Sequence, residues 1–502
     1  MRIYCCLTIT MGATDTAGIE AYEPVIGLEV HAQLATDSKM FCGCSTRFGA
    51  PPNSQTCPVC LGLPGALPVV NARGIDLAVM VALALGSRVS GASVFARKHY
   101  FYPDLPKGYQ ITQHAQPLAT GGGLTWSAGG ATCAVRLVRI HLEEDAGKSY
   151  HVGFADSDTA AYVDFNRSGV PLVEIVTEPE LSSPADAAEF VRRLRAVLVA
   201  LGASDGNMEE GSLRCDANVS VRRRGNTTLG ARTEIKNLNS FRLLQHALAY
   251  EVARQTRVLA AGGRVLTETR LWDEGASRTE VMRAKEASED YRYFPEPDLP
   301  PLIISPDRLA RLRATLPELP EARRARLSSA YGIGDEDASA LATDPAIAAF
   351  FERAARASGD AEAARLWMRG ELTRRMNDGG LTIGNVPVAP EALGRLITLV
   401  AAGSISATAA KHILGRMVAT GSEPETIAAA DGLLQESSPD ALGDLVAATL
   451  ARFPSQVAQY RRGKRAVAGF LVGRVITASG GRANPAMVDE LVRTRLDGSD
   501  EK

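Results

Sequence analysis

Polar and apolar residues alternate along residues 25–34. Ile26, Leu28, Val30 and Ala32 fall on one side, and Glu29, His31 and Gln33 on the other. A period of two marks a strand with one buried face and one wet face. Residues 135–142, 162–165 and 172–176 read as further strands. Residues 213–221 alternate again, with Leu213, Cys215, Ala217, Val219 and Val221 set against Arg214, Asp216, Asn218 and Ser220. Such patterns predict a half-buried antiparallel sheet. Two helices interrupt it, over 185–201 and 240–261. The second has Ser240 as its N-cap and Gly262-Gly263 as its stop.

The pattern changes near residue 295. The proline-dense run from Phe294 to Pro301 predicts an extended connector, because proline restricts both itself and the residue before it. Beyond it nearly everything has helical periodicity: 317–329, 345–357, 361–377 and 390–402, then a break at Gly403 and a last helix over 484–496. The expected class is therefore α+β. A domain built on a mixed or antiparallel sheet (21–298) precedes an all-α helical domain (299–400) and a small all-α tail domain (401–502). Residues 1–20 read as an unstructured N-terminal extension. Their apolar stretch weakly imitates an export signal but is short and broken by Tyr4, Cys5, Cys6 and Thr8, and Met11 offers a second start.

Composition narrows the class further. The formal charge of −2 excludes a uniformly basic nucleic-acid coat but leaves room for a local basic stripe. No apolar run approaches the ~18 residues needed to span a bilayer. Of eight cysteines, Cys42, Cys44, Cys57 and Cys60 are clustered and the others scattered, a distribution that fits a reducing cytoplasm and one metal site. Two close thiol pairs match the number and geometry of tetrahedral Zn²⁺, with four free or redox thiols as the alternative.

Four other segments offer chemistry. Glu29, His31 and Gln33 share a strand face and could hold a divalent cation, or form an ordinary solvated face. The acidic run Glu143-Glu144-Asp145 ends a strand, and adjacent acids repel unless a cation or basic group joins them. Gly147-Lys148-Ser149 after it is not a phosphate-binding P-loop, because Leu142 stands where that loop needs glycine. Glu174, alone in an apolar strand, is either an edge residue or part of a site. The stretch from Arg97 to Gln110 mixes cations and aromatic rings, as nucleotide or RNA contact requires, or as a surface loop does. In the tail, Arg461, Arg462, Lys464, Arg465 and Arg474 have no acid among residues 460–474. That run is either a solvated helix face or a phosphate-backbone contact.

Taken in order, these segments resemble the glutamyl/aspartyl-tRNA amidotransferase B subunit family. The resemblance is carried by Val25-Ile26-Gly27-Leu28-Glu29-Val30-His31-Ala32-Gln33-Leu34, Ser38-Lys39-Met40-Phe41-Cys42, Tyr100-Phe101-Tyr102-Pro103-Asp104-Leu105-Pro106-Lys107 and Glu143-Glu144-Asp145-Ala146-Gly147-Lys148. It continues through Glu209-Glu210-Gly211-Ser212-Leu213-Arg214-Cys215-Asp216, Glu234-Ile235-Lys236-Asn237-Leu238-Asn239 and Asp290-Tyr291-Arg292-Tyr293-Phe294-Pro295, covering roughly 22–498. It implies a cradle-shaped kinase domain, a helical linker and a tail that grips tRNA. It implies a heterotrimer with an amidase A subunit and a small C subunit. The A subunit would release ammonia from glutamine and pass it through a channel. ATP and Mg²⁺ would convert the side-chain carboxylate of Glu-tRNA(Gln), of Asp-tRNA(Asn) or of both to an acyl phosphate, which ammonia attacks, making the assembly an ATP-dependent carbon–nitrogen ligase.

The same resemblance assigns roles. Glu29, His31, Glu144 and Glu174 match the Mg²⁺ site, and the four cysteines match a structural Zn²⁺ site. Lys98, Lys107, Tyr109 and Lys148 are expected to contact ATP or the acyl adduct, and Arg461, Arg462, Lys464 and Arg465 the tRNA. Histidine is an unusual partner for Mg²⁺, so His31 could act through water or touch the phosphate instead. Two rivals stand beside this reading. An amidase needs serines in a glycine-rich loop, which Gly121-Gly122-Gly123 and Gly129-Gly130 lack. A non-catalytic zinc-containing tRNA scaffold has no use for concentrated carboxylates.

Overall fold

A computed structural model describes residues 21–128, 131–150, 153–154, 156–157, 159–284, 291–435, 439–480 and 483–498. The extension expected over 1–20 lies outside them. The chain forms two compact units, 1–320 and 321–502.

The first unit is built on a ten-stranded sheet. Its main strands are β1 (Tyr22–Gln33), β2 (Ala131–Glu144), β3 (Pro171–Thr177), β4 (Leu213–Arg223), β5 (Thr233–Lys236), β6 (Glu268–Asp273) and β7 (Arg278–Ala284). In space they run β7-β6-β5-β4-β1-β3-β2, followed by two short strands, Ala119–Thr120 and Arg88–Val89, while the tenth, Gly123–Ala128, pairs with β2 off this path. Every pairing along this path is antiparallel except β5 with β6, so the sheet is mixed.

The alternation of β1 has its expected consequence. Ile26, Leu28, Val30 and Ala32 are buried in the core, while Glu29, His31 and Gln33 are only half-buried on the opposite face. The pattern on β4 is similar, except that Ser220 is also buried. Three helices pack in the core with the sheet: α1 (Ala72–Ala84), α2 (Pro184–Ala200) and α3 (Phe241–Ala260). Each starts on a side-chain cap that satisfies amides the helix leaves free. Asn71 accepts from Arg73 and Gly74, Ser183 from Asp186, and Ser240 from Leu243. Gly262 ends α3 at φ 77°, a left-handed conformation that a side chain would strain. Phe190 and Leu194 of α2 are fully buried, and each contributes roughly 1.5–3 kcal/mol of hydrophobic stabilisation.

The connector is extended, as its prolines require. Phe294–Pro295 pairs with the Ala96–His99 strand, and Leu302–Ile303 with Ala92–Ser93. Between them Glu296, 2% exposed, takes two hydrogen bonds of 2.8 Å from the Arg97 guanidinium. The helix Pro306–Ala314, still within the first unit, follows, and its Arg308 donates to Asp76 on α1.

The second unit is helical. One core runs from Leu327 to Ala428 and another from Leu442 to Leu496. The helix expected without interruption over 361–377 is instead Ala361–Trp367, a π turn at Met368–Leu372, and Thr373–Asp378. Gly370 lies inside the wider turn, and Thr373 donates its hydroxyl to the Met368 carbonyl. No helix among the described residues is long and apolar enough to cross a membrane.

Candidate functional site

The wet face of the sheet carries the acidic and basic side chains, and strand register decides which of them meet. His31 on β1 pairs with Glu174 on β3, which pairs with His141 on β2, so the three form one row. On the other side His31 pairs with Arg214 of β4, and Glu29 with Asp216. Glu143 lies two residues from His141 and shares its face. Of these, all but Arg214 line a cavity of about 350 Å³ together with Lys98, Arg139, Lys236, Tyr291 and Tyr293.

Glu174 is the hub of the row. Its Oε2 lies 3.4 Å from His31 Nε2 and 3.1 Å from His141 Nε2. Glu143 Oε1 lies 3.7 Å from His31 Nε2. Burial alone would raise the Glu174 pKa, but His141 and His31 outweigh it and hold the carboxyl well below the usual range. Burial opposes charge on His31, yet Glu174 and Glu143 push its pKa up to about 9. Among the described residues, neither Glu143 nor Glu174 has a lysine or arginine as ion-pair partner. His31, Glu143 and Glu174 each offer a donor atom, all within 4.8 Å of one another. Two carboxylates and an imidazole that converge with no lysine or arginine paired to them fit a divalent ion, which would take the place of the His31 proton. Glu29 lines the same cavity and accepts from Asn218 at 2.9 Å.

Glu144 is elsewhere. Adjacent strand residues point to opposite faces, so Glu143 joins His31 and Glu144 turns away. Its carboxylate is ion-paired with Lys107 and accepts from the Ile111 amide at 2.9 Å. With Lys107, Tyr109, Cys42 and Cys60 it lines a second, smaller cavity of about 70 Å³. Of the expected site residues, the structure thus brings Glu29, His31, Glu174 and Lys98 together, and separately Glu144, Lys107 and Tyr109. Lys148 lines neither cavity; its Nζ stands 4.8 Å from the Tyr150 ring.

A buried carboxylate braces the floor between the strands. Asp145 accepts from Gln33 and Arg214 at 2.9 Å each, linking the end of β2 to β1 and β4. Burial would raise its pKa, but Arg214, Arg167 and Gln33 hold it below the ordinary value. Lys236 bridges Asp216 (2.6 Å) and Glu234 (3.1 Å). Tyr293 stacks on His114 with ring centres 4.0 Å apart, and Lys98 Nζ lies 4.9 Å from the Tyr291 ring.

Cys42, Cys44, Cys57 and Cys60 offer four sulfurs within 4.8 Å of one another, and the Cys57 and Cys60 sulfurs are 3.9 Å apart. Bonds of about 2.3 Å in a tetrahedral Zn²⁺ site require sulfurs roughly 3.8 Å apart, so the donor set fits that ion. A hydrogen bond from Cys42 leads the effects that bring the Cys60 pKa down to about 4. In the second unit Arg461, Arg462, Lys464 and Arg465 are exposed, and Arg465 is ion-paired with Asp497.

Sequence reasoning marked the acidic run from Glu143 to Asp145 but took Glu144 from it rather than Glu143, and it assigned no role to His141 or Arg139. The signal was present, because residues 139, 141 and 143 share a strand face by the same period of two that singled out Glu29 and His31.

Comparison with known proteins places the whole of this fold in one family. Residues 24–310 match the GatB/GatE catalytic domain, and residues 349–496 match the GatB domain. The aspartyl/glutamyl-tRNA(Asn/Gln) amidotransferase B subunit of Anaeromyxobacter sp. (strain K) is 50% identical over 482 residues, covering 95% of this chain and 99% of that protein. The protein of the same name from Moorella thermoacetica is 50% identical over 477 residues, covering 95% of this chain and all of that protein. With both domains matched and half of all aligned residues identical, the chain belongs to the aspartyl/glutamyl-tRNA(Asn/Gln) amidotransferase B subunit family.

Proposed function

We propose that this chain activates the side-chain carboxylate of Glu-tRNA(Gln), Asp-tRNA(Asn) or both with ATP, and that ammonia released by a partner amidase completes the amide. The observation that carries this reading is the convergence of His31, Glu143 and Glu174 in a cavity that also holds Lys98 and Arg139. Phosphoryl transfer asks a protein for positioning and charge neutralisation more than for covalent chemistry. A divalent cation such as Mg²⁺, held by those three residues, would supply the neutralisation. The cationic side chains Lys98 and Arg139 then orient phosphate oxygens from the cavity wall. Tyr291 and Tyr293 supply flat surfaces for a base or the terminal adenosine of tRNA.

The balance is simple. A carboxylate oxygen of the aminoacyl side chain bonds to the γ-phosphorus of ATP as the bond to ADP breaks. Ammonia then attacks the acyl carbon, the acyl–oxygen bond to phosphate breaks, and the proton shed by nitrogen ends on the leaving phosphate. Asp145 has a positioning role, fixing the end of β2 and hence Glu143. The cysteine cluster fits a structural Zn²⁺ site, since four thiols leave no open position. The exposed cations Arg461, Arg462, Lys464 and Arg465 suit the tRNA backbone. An amidase A subunit and a small C subunit complete the assembly in this reading.

The test is ATP hydrolysis by the chain co-expressed with its partner subunits, with glutamine, and with or without Glu-tRNA(Gln) or Asp-tRNA(Asn). Stimulation by a charged tRNA, with amidated tRNA as product, is the expected result. No stimulation by either would reduce the chain to a tRNA-binding scaffold.

A further inference from the structure

Lys39 is fully buried (0% exposed) and lies outside the chemistry described above. An ammonium group in such a place is costly unless its donors and its charge are both matched. Its Nζ donates to the Gln55 carbonyl at 2.8 Å and to the Phe165 carbonyl at 3.1 Å, and it lies 3.6 Å from Cys60 Sγ. The two carbonyls are neutral, so the sulfur is the one of these three that can carry a negative charge. Four thiolates around a divalent cation carry a net charge of −2, and a single lysine against one of them halves it.

The same lysine stands at a junction. The Met40 amide donates to the Gly169 carbonyl at 2.7 Å, and the Ser168 hydroxyl to the Cys60 carbonyl at 3.3 Å. A Cβ placed on Gly169 would lie 3.4 Å from Lys39 Cδ, 3.6 Å from Cys60 Cβ and 3.8 Å from Glu144 Oε2. The turn from Phe165 to Gly169 is therefore packed between the cysteine cluster and Glu144, and it leads directly into β3, which carries Glu174.

We propose that Lys39 is the buried counter-ion of a tetrathiolate cation site and ties loading of that site to the 165–169 turn behind Glu144. The inference rests on reading the four cysteines as a divalent-cation site. When that site empties, the four sulfurs lose the cation that fixes their positions around Lys39, and the turn that Lys39 holds through Phe165 loosens. The cysteine cluster then acts as a strut whose stiffness depends on its metal.

The experiment uses the full chain with its partner subunits. Zn²⁺ transfer to a chromogenic chelator is measured for the unsubstituted protein, for Lys39→Met and for Lys39→Gln, which keeps a donor but loses the charge. Both variants are expected to hold Zn²⁺ about 10- to 100-fold more weakly. Affinities within about twofold of the unsubstituted protein would overturn the counter-ion role. Should the variants not fold, hydrogen exchange on the unsubstituted protein decides the coupling. Stripping Zn²⁺ is expected to speed exchange of the 165–170 amides by about tenfold or more, and unchanged exchange would overturn it. An unsubstituted protein that takes up neither Zn²⁺ nor Co²⁺ refutes the reading of the cysteines itself, an outcome distinct from either of the others.

Discussion

Glu143 and Glu144 are neighbours in sequence and serve different cavities. Glu143 faces His31 and Glu174, with imidazoles but no lysine or arginine paired to it, in a cavity of about 350 Å³. Glu144 faces the other way, sealed by Lys107 and the Ile111 amide against the cysteine cluster. One carboxylate has only titratable imidazoles beside it, which a metal ion can replace, and the other has a lysine built in. A carboxylate without a fixed counter-charge is where a protein can afford a metal or substrate, whereas a paired one holds architecture.

The sharpest way to break this contrast is to neutralise the unpaired side. Glu174→Gln or Glu143→Gln is expected to lower charged-tRNA-stimulated ATP cleavage by on the order of 10²–10³ at fixed Mg²⁺, as loss of a group stabilising transition-state charge does. Near-normal rates in both, measured by phosphate release, would remove the cavity from the chemistry. On the paired side, Glu144→Gln leaves Lys107 buried without its charge. Its main effect is expected in stability, about 3 kcal/mol by urea denaturation, with the Mg²⁺ half-saturation nearly unchanged. A large shift in Mg²⁺ dependence would instead make Glu144 a ligand.

Replacing Arg461, Arg462, Lys464 and Arg465 together by alanine is expected to weaken tRNA binding about tenfold or more and to flatten its salt dependence, with ATP affinity unchanged. Filter binding across a salt series reads both. Gly62→Ala probes the seat of Lys107. Gly62 has φ 67°, and a Cβ there would meet Lys107 Cγ at 2.5 Å and its Cα at 3.0 Å. A loss of roughly 2 kcal/mol is expected, from left-handed strain and the displaced lysine, and an unchanged melting temperature would contradict it.

The smallest effect concerns pH. Because the folded Asp145 pKa is depressed, its contribution to stability is complete above its unfolded value of about 3.9 and fades as pH falls through the folded one. Asp145→Asn should therefore cost stability at pH 7, and the gap from the unsubstituted protein should narrow below about pH 4. A gap independent of pH would mean that packing, not charge, is what Asp145 provides.

Much of this was readable from residue order. The alternation of β1 and β4, the caps Ser240 and Gly262, the proline-stiffened connector and the four clustered cysteines are local signals, and each has its counterpart in the structure. The choice between Glu143 and Glu144 was harder. Both are acidic, and only the face shared by Arg139, His141 and Glu143 separates them. Pattern alone does not bring His31, Glu174 and His141 into one row, because β1, β2 and β3 are far apart in sequence and their register emerges only from pairing; the family resemblance joined His31 to Glu174 but not to His141. The π turn at Met368–Leu372 was likewise hidden, since its residues keep a helical pattern.

The most direct test of the central claim is Mn²⁺ binding to the assembled complex, followed by the loss of its free-ion paramagnetic resonance signal. The unsubstituted protein and Glu144→Gln should bind one equivalent with similar affinity at the wet face of the sheet, while Glu143→Gln should bind at least about tenfold more weakly. Equal binding by Glu143→Gln, with loss in Glu144→Gln, would contradict the account and move the cation site to the other side of the strand.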